Sequence, residues 1–221
     1  MGRPTHFADR LAALVEERRS RVVLGLDPDP AALWPLALGG GDDGRPVPER
    51  TAAALVRHCR GAIEAAGPAC VAVKLQLACF ERLGAPGWAA LADVRAAARE
   101  NGLLAIADGK RGDVPVTAHA YGQALVGSTS GPYGAVEGLS ADAFTASPLL
   151  GRDSLGPLVD AAATAGAACF VLVSTSNPGA SDLQDLEVAG VPLHERIATL
   201  VDSLGADHTG DCGLSLVGAV A

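Results

Sequence analysis

The chain has 221 residues, 49% hydrophobic and 19% charged, with a net charge of −8 and a pI near 5.0. That is ample for one buried core and awkward for two, so one domain over residues 1–221 is expected. The acidic balance, without any Lys/Arg run, argues against nucleic acid or an anionic membrane as a partner. A small anionic substrate stays compatible, because a pocket can be locally positive on an acidic protein.

The first stretch, MGRPTHFADRLAALVEERRS, patterns as an amphipathic helix charged along its length. It lacks the apolar centre and cleavage site of a secretion signal, and no apolar run approaches a membrane span. A cytoplasmic protein is expected. The run VVLGLD, from Val22, then reads as a first strand. Leu36 to Pro48 is rich in Gly, Asp and Pro and reads as a loop. Leu55, Val56, Cys59 and Ile63 recur at helical spacing. CVAVKL, from Cys70, and LLAIAD, from Leu103, read as second and third strands, with Asn101–Gly102 as a helix stop between them. Gly127 to Gly138 reads as a second loop. DAFTAS, from Asp142, and CFVLVS, from Cys169, follow as strands. A helical pattern at Leu193, Ile197, Leu200, Val201 and Leu204 precedes LSLVGAV, from Leu214.

These runs are nearly continuous in apolar residues, as parallel strands covered on both faces are. Their alternation with helices predicts an α/β fold. Polar residues recur at successive strand ends: Asp27, Lys74 with Gln76, Asp108 with Lys110, and Ser174 to Asn177. That arrangement favours a (β/α)8 barrel over an open doubly wound sheet, which gathers its site at one switch point. Neither GxGxxG after the first strand nor GxxxxGK[ST] occurs, which weakens a nucleotide-cofactor fold. Six strands are counted, so the barrel is expected without its last two β/α units. The five cysteines are odd in number and contain no CxxC pair, so free thiols are expected.

The densest group of reactive side chains is Asp108-Gly109-Lys110-Arg111-Gly112-Asp113. Side chains two apart on a strand share a face, which would align Asp108 with Lys110. Lys74 ends the neighbouring strand, so an alternating Lys–Asp–Lys–Asp set is expected. Carboxylates beside each ammonium would keep the lysines charged, and a charged, positioned lysine is a general acid for a carbanion. Two bland readings compete: a solvated salt-bridge cluster, and a Mg²⁺ site on the two carboxylates, against which Lys110 between them argues. Arg111 is expected to pack or pair on the opposite face. His119 reads as a surface or interface residue, and His194 and His208 have neither metal spacing nor a nucleophile partner.

GLDP (Gly25–Pro28), VKLQLACFE (Val73–Glu81), ADGKRGDV (Ala107–Val114), TASPLLGRDSL (Thr145–Leu155) and STSNPG (Ser174–Gly179) stand in the order and spacing of the orotidine 5′-phosphate decarboxylases. The sequence most resembles their bacterial subgroup with the signature D-x-K-R-x-D. QDLEVAGVPLHERIA, from Gln184, and LVGAV, from Leu216, extend the likeness. The resemblance implies a cofactor-free, metal-free lyase of pyrimidine biosynthesis that converts orotidine 5′-monophosphate to UMP and CO2. It implies that Lys110 protonates C6, that Asp108 faces the scissile carboxylate, and that Asp27 and Lys74 bind the ribose. It implies Ser176 on the pyrimidine, and a homodimer in which Asp113 and Thr117 reach the partner's site. The family's phosphate-binding loop comes from strands seven and eight, and none of its residues can be named here. Leu75 stands where proline is usual, Gly109 replaces alanine or serine, and Val220 replaces threonine. The alternatives are a related Mg²⁺-dependent sugar-phosphate decarboxylase and a non-catalytic barrel fragment.

Overall fold

The computed structural model describes residues 6–39 and 44–221. The start of the expected N-terminal helix and residues 40–43 of the first expected loop lie outside the described residues. In chain order the elements are α1 (Phe7–Arg18), β1 (Val23–Leu26), α2 (Pro35–Leu38), α3 (Val47–Ala66), β2 (Ala72–Gln76), α4 (Leu77–Glu81), α5 (Ala85–Glu100) and β3 (Leu104–Arg111). They continue with α6 (Pro115–Leu125), β4 (Ser128–Gly131), β5 (Gly134–Glu137), β6 (Ala143–Ala146), α7 (Arg152–Ala165), β7 (Ala168–Leu172), β8 (Glu187–Val188), β9 (Val191–Pro192), α8 (Leu193–Gly205) and β10 (Val217–Val220).

All six expected strands form, as β1, β2, β3, β6, β7 and β10, and helices alternate with them. The chain divides into two compact units, Ala13–Gly109 and Met1–Ala12 with Lys110–Ala221. In the first, β1, β2 and β3 pair in parallel in that order. Its core is Leu55, Cys59 and Ile63 of α3, Val73 and Leu75 of β2, Phe80 of α4, and Leu91 and Val94 of α5, all fully buried. Each such side chain contributes about 1.5–3 kcal/mol by leaving water. The spacing of the α3 set is the helical stripe expected from the sequence. Helix α5 ends where Asn101–Gly102 predicts, with Asn101 as its cap and Gly102 at φ 66°. Gly87 is required where α5 meets α4, because a Cβ there would stand 1.9 Å from the Phe80 carbonyl oxygen.

In the second unit β6 and β10 flank β7, again in parallel. Phe144, Leu155, Leu158, Cys169 and Val171 form its core. The first turns of α1 belong here: Arg10 bonds Asp142 and the Gly166 carbonyl, and Phe7 packs edge-on against Phe170 at 5.9 Å.

Two expectations need correction. Gly127 to Gly138 is not a loop but a hairpin, with β4 and β5 paired antiparallel from Ser128↔Glu137 to Gly131↔Gly134. Its strands are exposed, so no buried face imposed the apolar alternation that reveals a strand. The first expected loop likewise holds one helical turn, α2, and its end from Val47 is already α3.

Candidate active site

In the unit Ala13–Gly109, β2 and β3 pair so that Gln76 lies opposite Asp108, and β1 pairs so that Gly25 lies opposite Lys74. Parallel pairing brings the C-terminal ends of three strands together. Lys74 Nζ stands 3.0 Å from Asp108 Oδ2 and 3.4 Å from Asp27 Oδ1. Gln76 Nε2 adds a long contact of 3.5 Å to Asp108. The Asp108 side chain is 7% exposed, so its charge needs a partner, whereas Asp27 is 51% exposed and its pair with Lys74 is weak. Burial pulls the Lys74 ammonium down, but its hydrogen bond to Asp108 and the charges of Asp108 and Asp27 outweigh that, leaving it above the ordinary lysine value. Lys74 is therefore a fixed cation at neutral pH.

The segment after β1 is held separately. Arg82 donates to the Pro28 carbonyl at 2.7 Å and reaches Asp29 at 3.4 Å. Asp27, Pro28 and Asp29 line a cleft of about 600 Å³ with Trp34 and His58. His58 Nδ1 accepts the Trp34 N–H at 3.2 Å, with the two rings 4.3 Å apart. Burial lowers the His58 pKa.

In the other unit, Lys110 has φ 49°, a left-handed conformation rare outside glycine. Such a residue costs of order 1–3 kcal/mol and persists only where its surroundings hold it. The alternation that would align Asp108 with Lys110 assumes extended backbone and stops at this residue. The Lys110 N–H donates to Thr145 Oγ1 at 2.9 Å, and the Arg111 carbonyl accepts the Ser147 N–H at 2.8 Å. The Asp113 carbonyl accepts from Ser154 Oγ, and its carboxylate accepts the Val114 N–H at 2.7 Å. Residues 110–113 are thus gripped from 145, 147 and 154. Pro115 starts α6 and places Thr117, exposed, in its first turn. The Arg111 guanidinium lies 5.6 Å above the Tyr121 ring, the packing role expected of it.

Ser176 is exposed in the segment after β7, between Thr175, which one amide ties down, and Asn177, which Thr175 holds in turn. Gln184 Oε1 accepts the Thr175 N–H at 2.8 Å, and its Nε2 donates to Thr175 Oγ1 at 2.7 Å. That hydroxyl donates to Asn177 Oδ1 at 2.7 Å. His194 Nδ1 lies 2.8 Å from the Gln184 carbonyl, so this histidine braces the same loop. His119 is exposed on α6, and the His208 carbonyl faces His6 Nε2 at 3.1 Å.

The structure therefore gathers Asp27, Lys74 and Asp108 in one unit. In the other it sets Lys110, Asp113 and Thr117 in one braced run, and Ser176 in a braced loop. Thr145 and Gln184 are the members that sequence reasoning missed. Each sits in a recognised run, TASPLLG and QDLEV, but only a contact across 35 or 9 residues reveals its use.

The model of the orotidine 5′-phosphate decarboxylase / HUMPS family matches residues 20–207. The chain belongs to that family. It is 39% identical over 217 residues to the orotidine 5′-phosphate decarboxylase of Rhodopirellula baltica, covering 97% of this chain and 69% of that one. The Deinococcus radiodurans enzyme of the same name is 40% identical over 215 residues, covering 97% and 68%. A Streptomyces avermitilis crystal structure, named as a candidate orotidine 5′-phosphate decarboxylase, superposes with a TM-score of 0.77 at 34% identity, covering 98% of this chain and 69% of that one. The fold is the expected α/β class of this decarboxylase family, with three parallel strands in each unit. Within that family frame, the Lys74–Asp108 pair supplies a fixed cation against a buried carboxylate, and Lys110 follows Asp108 by two residues.

Proposed function

We propose that the chain decarboxylates orotidine 5′-monophosphate to UMP without a cofactor, as a cytoplasmic lyase of de novo pyrimidine biosynthesis. The observation that carries this reading is the ion-pair chain Asp27–Lys74–Asp108, at 3.4 and 3.0 Å, leading along β3 into a conformationally strained Lys110. As the bond between C6 and the carboxylate breaks, its electron pair stays on C6 and CO2 departs. The Lys110 ammonium supplies the proton that completes C6–H, and water returns a proton to the amine. Asp108 faces the scissile carboxylate, and the Lys110 ammonium stabilises the developing carbanion. Asp27 and Lys74 take the ribose hydroxyls, and Ser176 takes the pyrimidine.

A homodimer completes the site in this reading, with Asp113 and Thr117 reaching the partner's ribose pocket. Its support is the apolar fringe around those residues. Val114 and Val116 are 53% and 85% exposed, which is the kind of surface a second copy covers.

The test follows the loss of orotidylate absorbance with the 221-residue chain, alone and extended by the family's C-terminal phosphate-binding strands. Turnover that survives a chelator is expected. No turnover in either form sinks the reading, and turnover of a sugar phosphate abolished by the chelator replaces it.

A further inference from the structure

Thr145 is the penultimate residue of β6, with its side chain in the protein interior, 5% exposed overall. Its neighbours on the strand, Phe144 and Ala146, are fully buried and apolar. A valine would fill the same volume, and a hydroxyl in such a place is costly unless it is bonded. One bond it makes reaches the backbone of another strand's end. Its Oγ1 accepts the backbone N–H of Lys110, the one residue of the Asp108–Asp113 run with a left-handed φ. One residue on, at Arg111, the carbonyl returns to an ordinary backbone partner in Ser147. The side chain of Thr145 thus stands in for a main-chain acceptor at the point where the lysine leaves extended geometry.

We infer that Thr145 is a positioning residue, whose hydroxyl holds the Lys110 backbone in its left-handed conformation and so fixes the direction in which the ammonium projects. The inference rests on the decarboxylase reading for its effect on turnover, but not for the anchoring itself. Relaxing φ at 110 would swing a long side chain about its own Cα, and a misplacement near 1 Å is enough to cost a large factor in rate. Uniform substrate binding, made by Asp27, Lys74 and Ser176, does not pass through this bond.

The experiment compares Thr145→Val and Thr145→Ser, each alone and in the Lys110→Ala background. In Thr145→Val, kcat is expected to fall about tenfold to a hundredfold while KM moves less than about threefold. Thr145→Ser, which keeps the hydroxyl, is expected to retain kcat within about threefold. In the Lys110→Ala background Thr145→Val should add less than about twofold, because the residue acts through the lysine. An unchanged kcat in Thr145→Val, an equal loss in Thr145→Ser, or a full extra loss without the lysine overturns the inference. A second measurement separates its failure from that of the decarboxylase reading. Amide hydrogen exchange at Lys110 should quicken at least about tenfold in Thr145→Val but not in Thr145→Ser, with the Ser147 amide as internal control. If the unaltered chain turns over nothing, the function falls and this exchange rate alone decides the anchoring. An unchanged rate at Lys110, or an equal rise at Ser147, overturns it.

Discussion

Lys74 meets Asp108 at 3.0 Å although the two are not partners across the sheet: Asp108 pairs with Gln76, and Lys74 with Ile106. The contact is diagonal, and it works because Lys74 and Gln76 share a face of β2, so both reach the same carboxylate. The lysine is the longer and charged member, and it takes the shorter distance.

That pairing raises the Lys74 pKa above 10.5. A cation whose folded pKa exceeds its unfolded value adds stability that is complete below 10.5 and is lost as pH rises through the folded value. Unfolding midpoints in urea should therefore drop as pH rises above 10.5 in the unaltered chain and drop less in Asp108→Asn. The ¹³Cε resonance of Lys74 should titrate at lower pH in that variant. A lysine that titrates identically in both would show that Asp108 does not hold its charge.

Lys110→Ala should lower kcat by at least the ~10²–10⁴ expected of general-acid catalysis, with the fold retained by circular dichroism. Near-full activity would remove Lys110 from the proton-transfer role.

Gln184 uses both ends of its amide on Thr175, so a side chain of similar size without them should loosen the segment that carries Ser176. Gln184→Leu should destabilise by about 1–2 kcal/mol and raise KM more than it lowers kcat. Gln184→Glu keeps the acceptor and loses the donor, and should fall between. Steady-state kinetics and thermal melts check both, and a Leu variant with unchanged KM would separate this amide from substrate binding.

His58 is held below 6.5 by burial, and its Nδ1 accepts a backbone proton from Trp34. Protonation ends that acceptance. For a depressed histidine the stabilisation is present above 6.5 and is lost as pH falls through the folded value. Thermal melts of the unaltered chain should decline below pH 6.5, and His58→Asn, whose oxygen keeps an acceptor that does not titrate, should decline less over the same range. Parallel declines would clear His58 of the effect.

Burial pushes the Cys59 and Cys169 thiols up to about 12, while Cys212 is exposed. The thiolate is the reactive form, so a thiol reagent at pH 8 should label Cys212 first and reach Cys59 and Cys169 only on unfolding. Mass spectrometry of the labelled peptides reads the order. Early labelling of Cys169 would contradict its place in the core.

The strands were legible because a buried parallel strand writes itself as an unbroken apolar run, and all six runs from Val22 to Leu214 became strands. The β4–β5 hairpin was not, because Ser128–Gly131 and Gly134–Glu137 face water and carry no such run. Asp27, Lys74 and Asp108 could be nominated from strand ends alone, since a carboxylate or ammonium after an apolar run is conspicuous. Thr145 and Gln184 could not. A threonine within a strand and a glutamine in a loop are ordinary locally, and their meaning lies in contacts the one-dimensional pattern does not encode. The left-handed turn at Lys110 was also invisible, because lysine is the opposite of the residue that conformation suggests.

That mismatch sets two selections against each other at a single codon. Glycine or asparagine would sit more comfortably at the φ of 49° that Lys110 adopts. A library of this gene sorted only for soluble, heat-resistant protein would be free to drift towards those residues, and one sorted for growth without external pyrimidine would be drawn back to lysine. The residue that survives each regime would report which demand the position serves.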